Sequence, residues 1–304
     1  MAIGSNPPFR VHGQLPDLHE PTLITMLSGW IDASGAAAAA METLVSELSA
    51  EPLITFDADT FIDFRARRPT MEHRDGVNTK IIWTTPEIRR GRDSEGHDVL
   101  LLTGPEPDSA WNYFATTVSE LAVQLGVRRA IGLGAYPFGA PHTRPVGLSC
   151  ASPNADLVAS LPYAKNSVDV PAGLEAILEH EFYNRGITDV VGLWAQVPHY
   201  IAAMAYPAAG ATLVEAVAHI AGISVDANPL RREAAIQRER LDQLVLGNPD
   251  HADMLRQLEL AYDAARGANS DAVNDNGAQV LFTGELPTMD ELAAEVEQFL
   301  KEQH

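Results

Sequence analysis

Asp32, His142, Arg144, Gln196 and His199 are the residues whose types and positions best suit chemistry. They fall in three short loops, "GWIDAS", "YPFGAPHTRP" and "QVPHY", each directly after an apolar run. Imidazole titrates nearest neutral pH, so His142 or His199 would move a proton. The planar fork of Arg144 would hold an anionic or carbonyl oxygen through two parallel hydrogen bonds. Asp32 would orient one imidazole by accepting from its ring N–H. Tyr136, Thr143 and Tyr200 stand beside them and complete a candidate ligand site. The competing reading is a packed polar edge or subunit contact, with Asp32 capping the helix that follows it.

Other chemistries have less behind them. "GLGAYPFGAPHTRP" begins like a dinucleotide fingerprint, with Gly132 and Gly134 directly following strand residues. Pro137 then occupies the place of the third glycine, and Pro141 and Pro145 block the helix whose N–H groups would cradle a phosphate. There is no Walker loop or Gly-x-Ser-x-Gly elbow, so the expectation is that no cofactor is bound. "FDADTFIDFRARRP" gathers Asp57, Asp59, Asp63, Arg65, Arg67 and Arg68. Its spacing lacks the Gly and terminal Glu of a calcium loop, and the arginines compete for the carboxylates. Read as a strand, it places Arg65 and Arg67 on one face and Arg68 on the other. The stretch is expected to be an ion-paired surface or a subunit contact. No metal site is expected: His180 and His219 lie on separate helices without an i+4 partner, and Cys150 is the only cysteine.

Elements must position these loops. "TLITMLSG" (Thr22–Gly29), "PLITF" (Pro52–Phe56), "RAIGLGA" (Arg129–Ala135) and "DVVGLWAQV" (Asp189–Val197) are apolar runs too short for helices, and read as buried strands. Between them lie helices over about 35–48, 109–125, "GLEAILEHEFYNRG" and "YPAAGATLVEAVAHIAG". Such alternation predicts an α/β sandwich around a mostly parallel, mixed sheet, with ligands collecting at the carboxyl ends of its strands. Residues 57–102 read as a β-rich insertion with an Asp75-Gly76 turn. The expected division is an α/β core over 1–227, a charged helical hairpin over 228–267, and a polar linker with a C-terminal helix returning to the core over 268–304. Thr288 and Glu291 fit a capping box for that last helix.

The bulk numbers narrow the class. Forty-one acidic residues against 21 Lys and Arg give a net charge of −20, which argues against binding nucleic acid through its phosphates. "MAIGSNPPFR" lacks the apolar core of a signal peptide, and no apolar run is long enough to span a membrane. The expectation is a cytoplasmic globular protein.

"SGWIDASGAAAAA", "FDADTFIDFRARRP", "GLGAYPFGAPHTRPV" and "LWAQVPHYIAAMAYPAA", four separated motifs in order over about 26–209, resemble the actinobacterial branch of the proteasome assembly chaperone 2 family. The resemblance implies a three-layer α/β/α fold of the phosphorylase/hydrolase-like class with a small helical appendage. It also implies subunit association, a trimer among the forms it allows, and a protein partner. It carries over no catalytic residue. Relatives that dock on proteasomes end in a hydrophobic residue, Tyr and any residue, whereas this chain closes Glu302-Gln303-His304, so docking through that anchor is not expected. Two functions stand after this reading. One is an oligomeric binding or assembly protein; the other is a small-ligand binder or enzyme using Asp32, His142, Arg144 and His199.

Overall fold

The computed structural model describes residues 7–271. The chain runs through β1 (Phe9–Val11), β2 (Thr22–Ser28), α1 (Ala36–Glu47), β3 (Glu51–Phe56) and the one-turn helix α2 (Ala58–Phe61). β4 (Thr70–Arg74) and β5 (Val77–Ile82) form a hairpin. Its turn residues Asp75 and Gly76 have φ of 49° and 81°, the conformation an Asp-Gly pair accepts. β6 (Glu87–Arg92), β7 (Asp98–Pro105), α3 (Trp111–Gln124), β8 (Arg129–Phe138), β9 (Leu148–Ala151) and α4 (Ala155–Ser160) follow. α5 (Leu174–Asn184), β10 (Asp189–Pro198), α6 (Pro207–Ala221), α7 (Asn228–Leu246) and α8 (Pro249–Asp271) complete it.

Eight strands form one mixed sheet in the order β1-β3-β6-β7-β2-β8-β10-β9. Its centre, β7-β2-β8-β10, is parallel, and the flanking strands pair antiparallel. β2 is buried on both faces, as its unbroken apolar run requires. Ile24, Leu101, Ile131 and Leu193 face α1 and α6, whereas Leu23, Leu100, Ala130 and Val190 face α3 and α5. The result is three layers, α/β/α. Small residues explain one of them: buried Ala36, Ala37 and Ala40 of α1 meet Ala209, Gly210 and Ala211 of α6. A methyl group on Gly210 would stand 3.2 Å from the Ala36 carbonyl oxygen, so the alanine-rich sequence lets the two helices approach.

The region 57–102 is not one insertion. β4 and β5 form their own two-stranded sheet, while β6 and β7 belong to the main sheet and β7 lies beside β2. The reason is burial: Asp98–Leu102 is covered on both faces, which only an inner strand allows. Arg65, Arg67 and Arg68 do not lie on a strand, because the stretch after α2 forms a turn. Residues up to Tyr262 form one compact unit that includes α7, and the chain from Asp263 is a second. α8 continues to Asp271, through residues read as the start of a linker. The predicted C-terminal helix, with Thr288 and Glu291, lies outside the described residues. No helix among the described residues is long and apolar enough to cross a membrane.

Candidate functional site

The parallel centre of the sheet places the ends of β7, β2, β8 and β10 on one edge, and the predicted loops meet there. Asp32 forms a bridge with Ala135 at the end of β8, and the Ser34 N–H donates to the Ala202 carbonyl at 2.7 Å. The loops are adjacent, but their functional groups turn to different partners. Both carboxylate oxygens of Asp32 accept from the start of α1, from the Ala37 N–H at 2.8 Å and the Ala38 N–H at 3.0 Å. Burial raises its pKa, and these backbone bonds oppose the rise. No imidazole is hydrogen-bonded to it among the described residues.

His142 is buried and held on three sides. Its backbone N–H donates to the Tyr200 hydroxyl oxygen at 2.8 Å, and that hydroxyl lies 2.7 Å from Nδ1. The Asp242 carboxylate of α7, 3.2 Å from Nε2, can only accept, so the neutral ring carries its proton on Nε2 and Nδ1 accepts from the Tyr200 hydroxyl. Desolvation lowers the His142 pKa and favours this neutral form, against the pull of Asp242. Burial pushes the Tyr200 hydroxyl up to about 12. Thr143 donates to Glu259 of α8, and Arg144 pairs with the same carboxylate at 3.1 Å. The Tyr262 hydroxyl donates to the Pro145 carbonyl at 2.9 Å. The "APHTRP" loop is thus the seat on which α7 and α8 rest.

Tyr136 and Gln196 form a separate polar group beneath β9. The Tyr136 hydroxyl lies 3.2 Å from the Ser149 hydroxyl and accepts from Gln196 Nε2 and Asn166 Nδ2, both at 3.2 Å. His199 is exposed, its ring edge-on to Tyr200 with centroids 5.4 Å apart. In the acidic–arginine stretch, Asp57 accepts from Thr60, and Asp63 caps the turn by accepting from the Arg65 N–H at 2.8 Å. Arg67 pairs with Asp108 at 2.9 Å. Asp59, Arg65 and Arg68 are exposed.

A second group at this edge has no counterpart among the residues singled out from sequence. Glu175 and Glu179, one turn apart on α5, lie over the sheet where Gly132 and Gly192 are paired neighbours on β8 and β10. A side chain on Gly132 would begin 3.3 Å from Glu179 Oε1 and 3.4 Å from Glu175 Cδ, so the two carboxyls converge above it. A side chain on Gly192 would collide with Glu179, and one on Gly134 with the Trp194 ring. Glu175 Oε1 accepts from the Thr25 hydroxyl at 3.0 Å and the Leu133 N–H at 3.3 Å. Glu106 accepts from the Leu174 N–H, at the start of α5, at 2.6 Å. Desolvation, with the neighbouring Glu179 charge second, raises the Glu175 pKa well above the carboxylate range; desolvation alone takes Glu179 to about 8. A narrow cleft of about 20 Å³ reaches Glu175 between Trp30, Asp32, Glu106 and Trp194. The sequence does carry a signal for it. Gly132, Gly134 and Gly192 sit inside strands, where glycine marks a close approach, and Glu175 and Glu179 share one helical face.

The PAC2 family model matches residues 26–245. Among solved structures, a Mycobacterium tuberculosis protein of unknown function is 32% identical, with a TM-score of 0.79 over 88% of this chain and 93% of that one. A PAC2 family protein from Streptomyces avermitilis is 30% identical, with a TM-score of 0.70 over 77% and 99%. A Mycobacterium tuberculosis proteasome-assembly chaperone homologue is 26% identical, with a TM-score of 0.71 over 77% and 99%. No curated protein matches the chain.

Proposed function

The chain belongs to the PAC2 family, and from that premise we propose that it is a non-catalytic, cytoplasmic binding or assembly protein that works as a homo-oligomer and engages a protein partner. One observation carries the reading: the β4–β5 ribbon is uncovered. Val77, Ile81, Ile82 and the following Trp83 are 61%, 43%, 38% and 52% exposed. A two-stranded ribbon is marginal in water by itself, and exposed apolar side chains on it support the reading of a contact surface. Trp83 also lines an open groove of about 540 Å³ with Met26, Met41 and Val45. A second copy of the chain laid on the ribbon would cover Val77 and Ile81 of β5 and the adjoining groove, which Glu42, Glu87 and Arg89 line as well.

Two further facts support the reading. His142, Thr143 and Arg144, which sequence alone offers to a ligand, are engaged by α7 and α8. A relative described as a proteasome-assembly chaperone homologue supports a protein as the partner. Light scattering tests the assembly. The wild type is expected at a multiple of 32.8 kDa at micromolar concentration, and Ile81→Lys with Trp83→Ser is expected to give a folded monomer. A monomeric wild type, or a variant of unchanged mass, would overturn it.

A further inference from the structure

The β4–β5 ribbon and the turn before it run against the charge of the whole chain. Residues 64–82 hold five of the 21 Lys and Arg, at Arg65, Arg67, Arg68, Arg74 and Lys80, and two of the 41 acidic residues, Glu72 and Asp75. Five against two makes the stretch +3 in a chain of −20. Folding joins these cations to apolar side chains. The Phe64 and Trp83 rings meet edge-on at 4.8 Å, which sets Arg65 at the foot of the ribbon, and Thr70 pairs with Ile82, which sets Arg68 beside it. Arg67 pairs with Asp108. Glu72 stands opposite Lys80 but pairs with Arg74 at 3.6 Å. The side chains of Arg65, Arg68 and Lys80 are exposed and form no ion pair among the described residues. Every residue of β5 is exposed, and its outer edge has no neighbouring strand among them.

We propose that the open edge of β5 takes an extended segment of a partner protein as a third strand, a segment in which acidic and apolar residues alternate. The inference rests on the reading of the chain as one that engages a protein, and it names what that protein presents. A lone two-stranded ribbon gains most from a third strand, whose backbone answers the N–H and C=O groups left open along the edge. Side chains of a strand point to opposite faces in turn. Lys80 and Ile82 therefore lie on one face, and Ile81, opposite Met71, on the other. An added strand meets a cation on the first face and apolar surface on the second, so acidic and apolar residues in alternation match both. Charge also decides against other occupants. Edge pairing of β5 with β5 of a second copy would bring two cationic edges together, which Lys80 opposes. The second copy proposed above lies on side chains and groove, and leaves this edge open. A nucleic acid or an anionic membrane would have to approach a chain of −20, and neither supplies a backbone that pairs with a strand edge.

Fluorescence anisotropy on the full chain tests this with labelled, capped hexapeptides. One alternates glutamate and valine, a second carries lysine in place of each glutamate, and a third is the first with its backbone nitrogens methylated. Saturable binding is expected for the first and for neither counterpart, since methylation removes the N–H donors and keeps the side chains. Raising sodium chloride from about 0.05 M to about 0.5 M should weaken it several-fold. Arg68→Glu with Lys80→Glu, checked for folding by circular dichroism, should weaken it about tenfold. Arg232→Glu, at an exposed position of α7, should leave it unchanged. The proposal fails if the first peptide gives no saturable response, if either counterpart binds as well, or if the folded double variant binds as the wild type does. It fails too if phosphatidylserine vesicles bind the chain and the peptide does not. Light scattering on the same samples separates it from the assembly reading. A monomer that binds the peptide loses the second copy and keeps this site, and an oligomer that ignores the peptide does the reverse.

Discussion

Glu179 shows how a single side chain ties the stability of the fold to pH. Its carboxyl titrates near 4.5 in the unfolded chain and near 8 in the fold, where desolvation disfavours the charge. The folded state therefore holds a proton that the unfolded chain has released. Stability is fullest below about pH 4.5, declines as the pH rises, and has lost this contribution above about pH 8. Glu175, on the same helix and also shifted upward, acts in the same direction. Each unit of such a shift is worth roughly 1.4 kcal/mol, so the two carboxyls are a substantial burden at alkaline pH. Glu179→Gln removes the charge and nearly keeps the shape. It should raise the melting temperature at pH 9 by roughly 5 °C or more and leave it almost unchanged at pH 5. Thermal unfolding at both pH values checks this, and an equal shift at both would contradict it.

Among the elements, α7 and α8 bury few apolar side chains and are held in good part by polar contacts. α7 buries Leu230 and Leu241, and α8 buries Leu255, which is little for helices of 19 and 23 residues. Two anchors serve them: at Ala140–Pro145 His142 meets Asp242, and Thr143 and Arg144 meet Glu259, while against α6 and the residues before it Arg231 of α7 pairs with Glu215 and Gln237 donates to the Ala205 carbonyl. Removing the imidazole leaves the half-buried Tyr200 hydroxyl without its acceptor and Asp242 with only its pairing to Arg238 among the described residues. His142→Ala should then cost about 1–3 kcal/mol and raise proteolytic cleavage within 228–262, the sheet staying intact. Acid should have a related effect. The lowered His142 pKa means that protonation below the unfolded value of 6.5 favours the unfolded side, so this contribution is present above that pH and fades as the pH falls through the folded value. Limited proteolysis at pH 5 and pH 8 reads the difference, and equal cleavage at both would refute it.

The whole molecule brings together an acidic surface and an exposed apolar ribbon. A net charge of −20 makes copies of the chain repel at long range, while contact between ribbons is short-ranged. Association should therefore strengthen as salt screens the repulsion, from about 0.05 M to about 0.5 M sodium chloride. Sedimentation at fixed protein concentration measures it. A mass that falls with salt would show that ion pairs, in place of apolar contact, hold the assembly.

Local pattern alone read strands at Thr22–Gly29 and Asp189–Val197, each within a residue of the observed bounds, together with the helices between and the Asp75-Gly76 turn, because these depend on residues a few positions apart. It also carried the family motifs. Pattern did not reveal that β7 lies at the sheet's centre, since a short apolar run reads alike in an insertion and in a core. Side-chain partnership was further out of reach. His142 and Asp242 are 100 residues apart, and Thr25 meets Glu175 across 150. The order β7-β2-β8-β10 brings the ends of four distant strands to one edge, and the packing of α5 on that sheet places Glu175 and Glu179 over Gly132. Tertiary structure decided these meetings because a polar group's role follows from what surrounds it, and those surroundings come from parts of the chain that no local window contains.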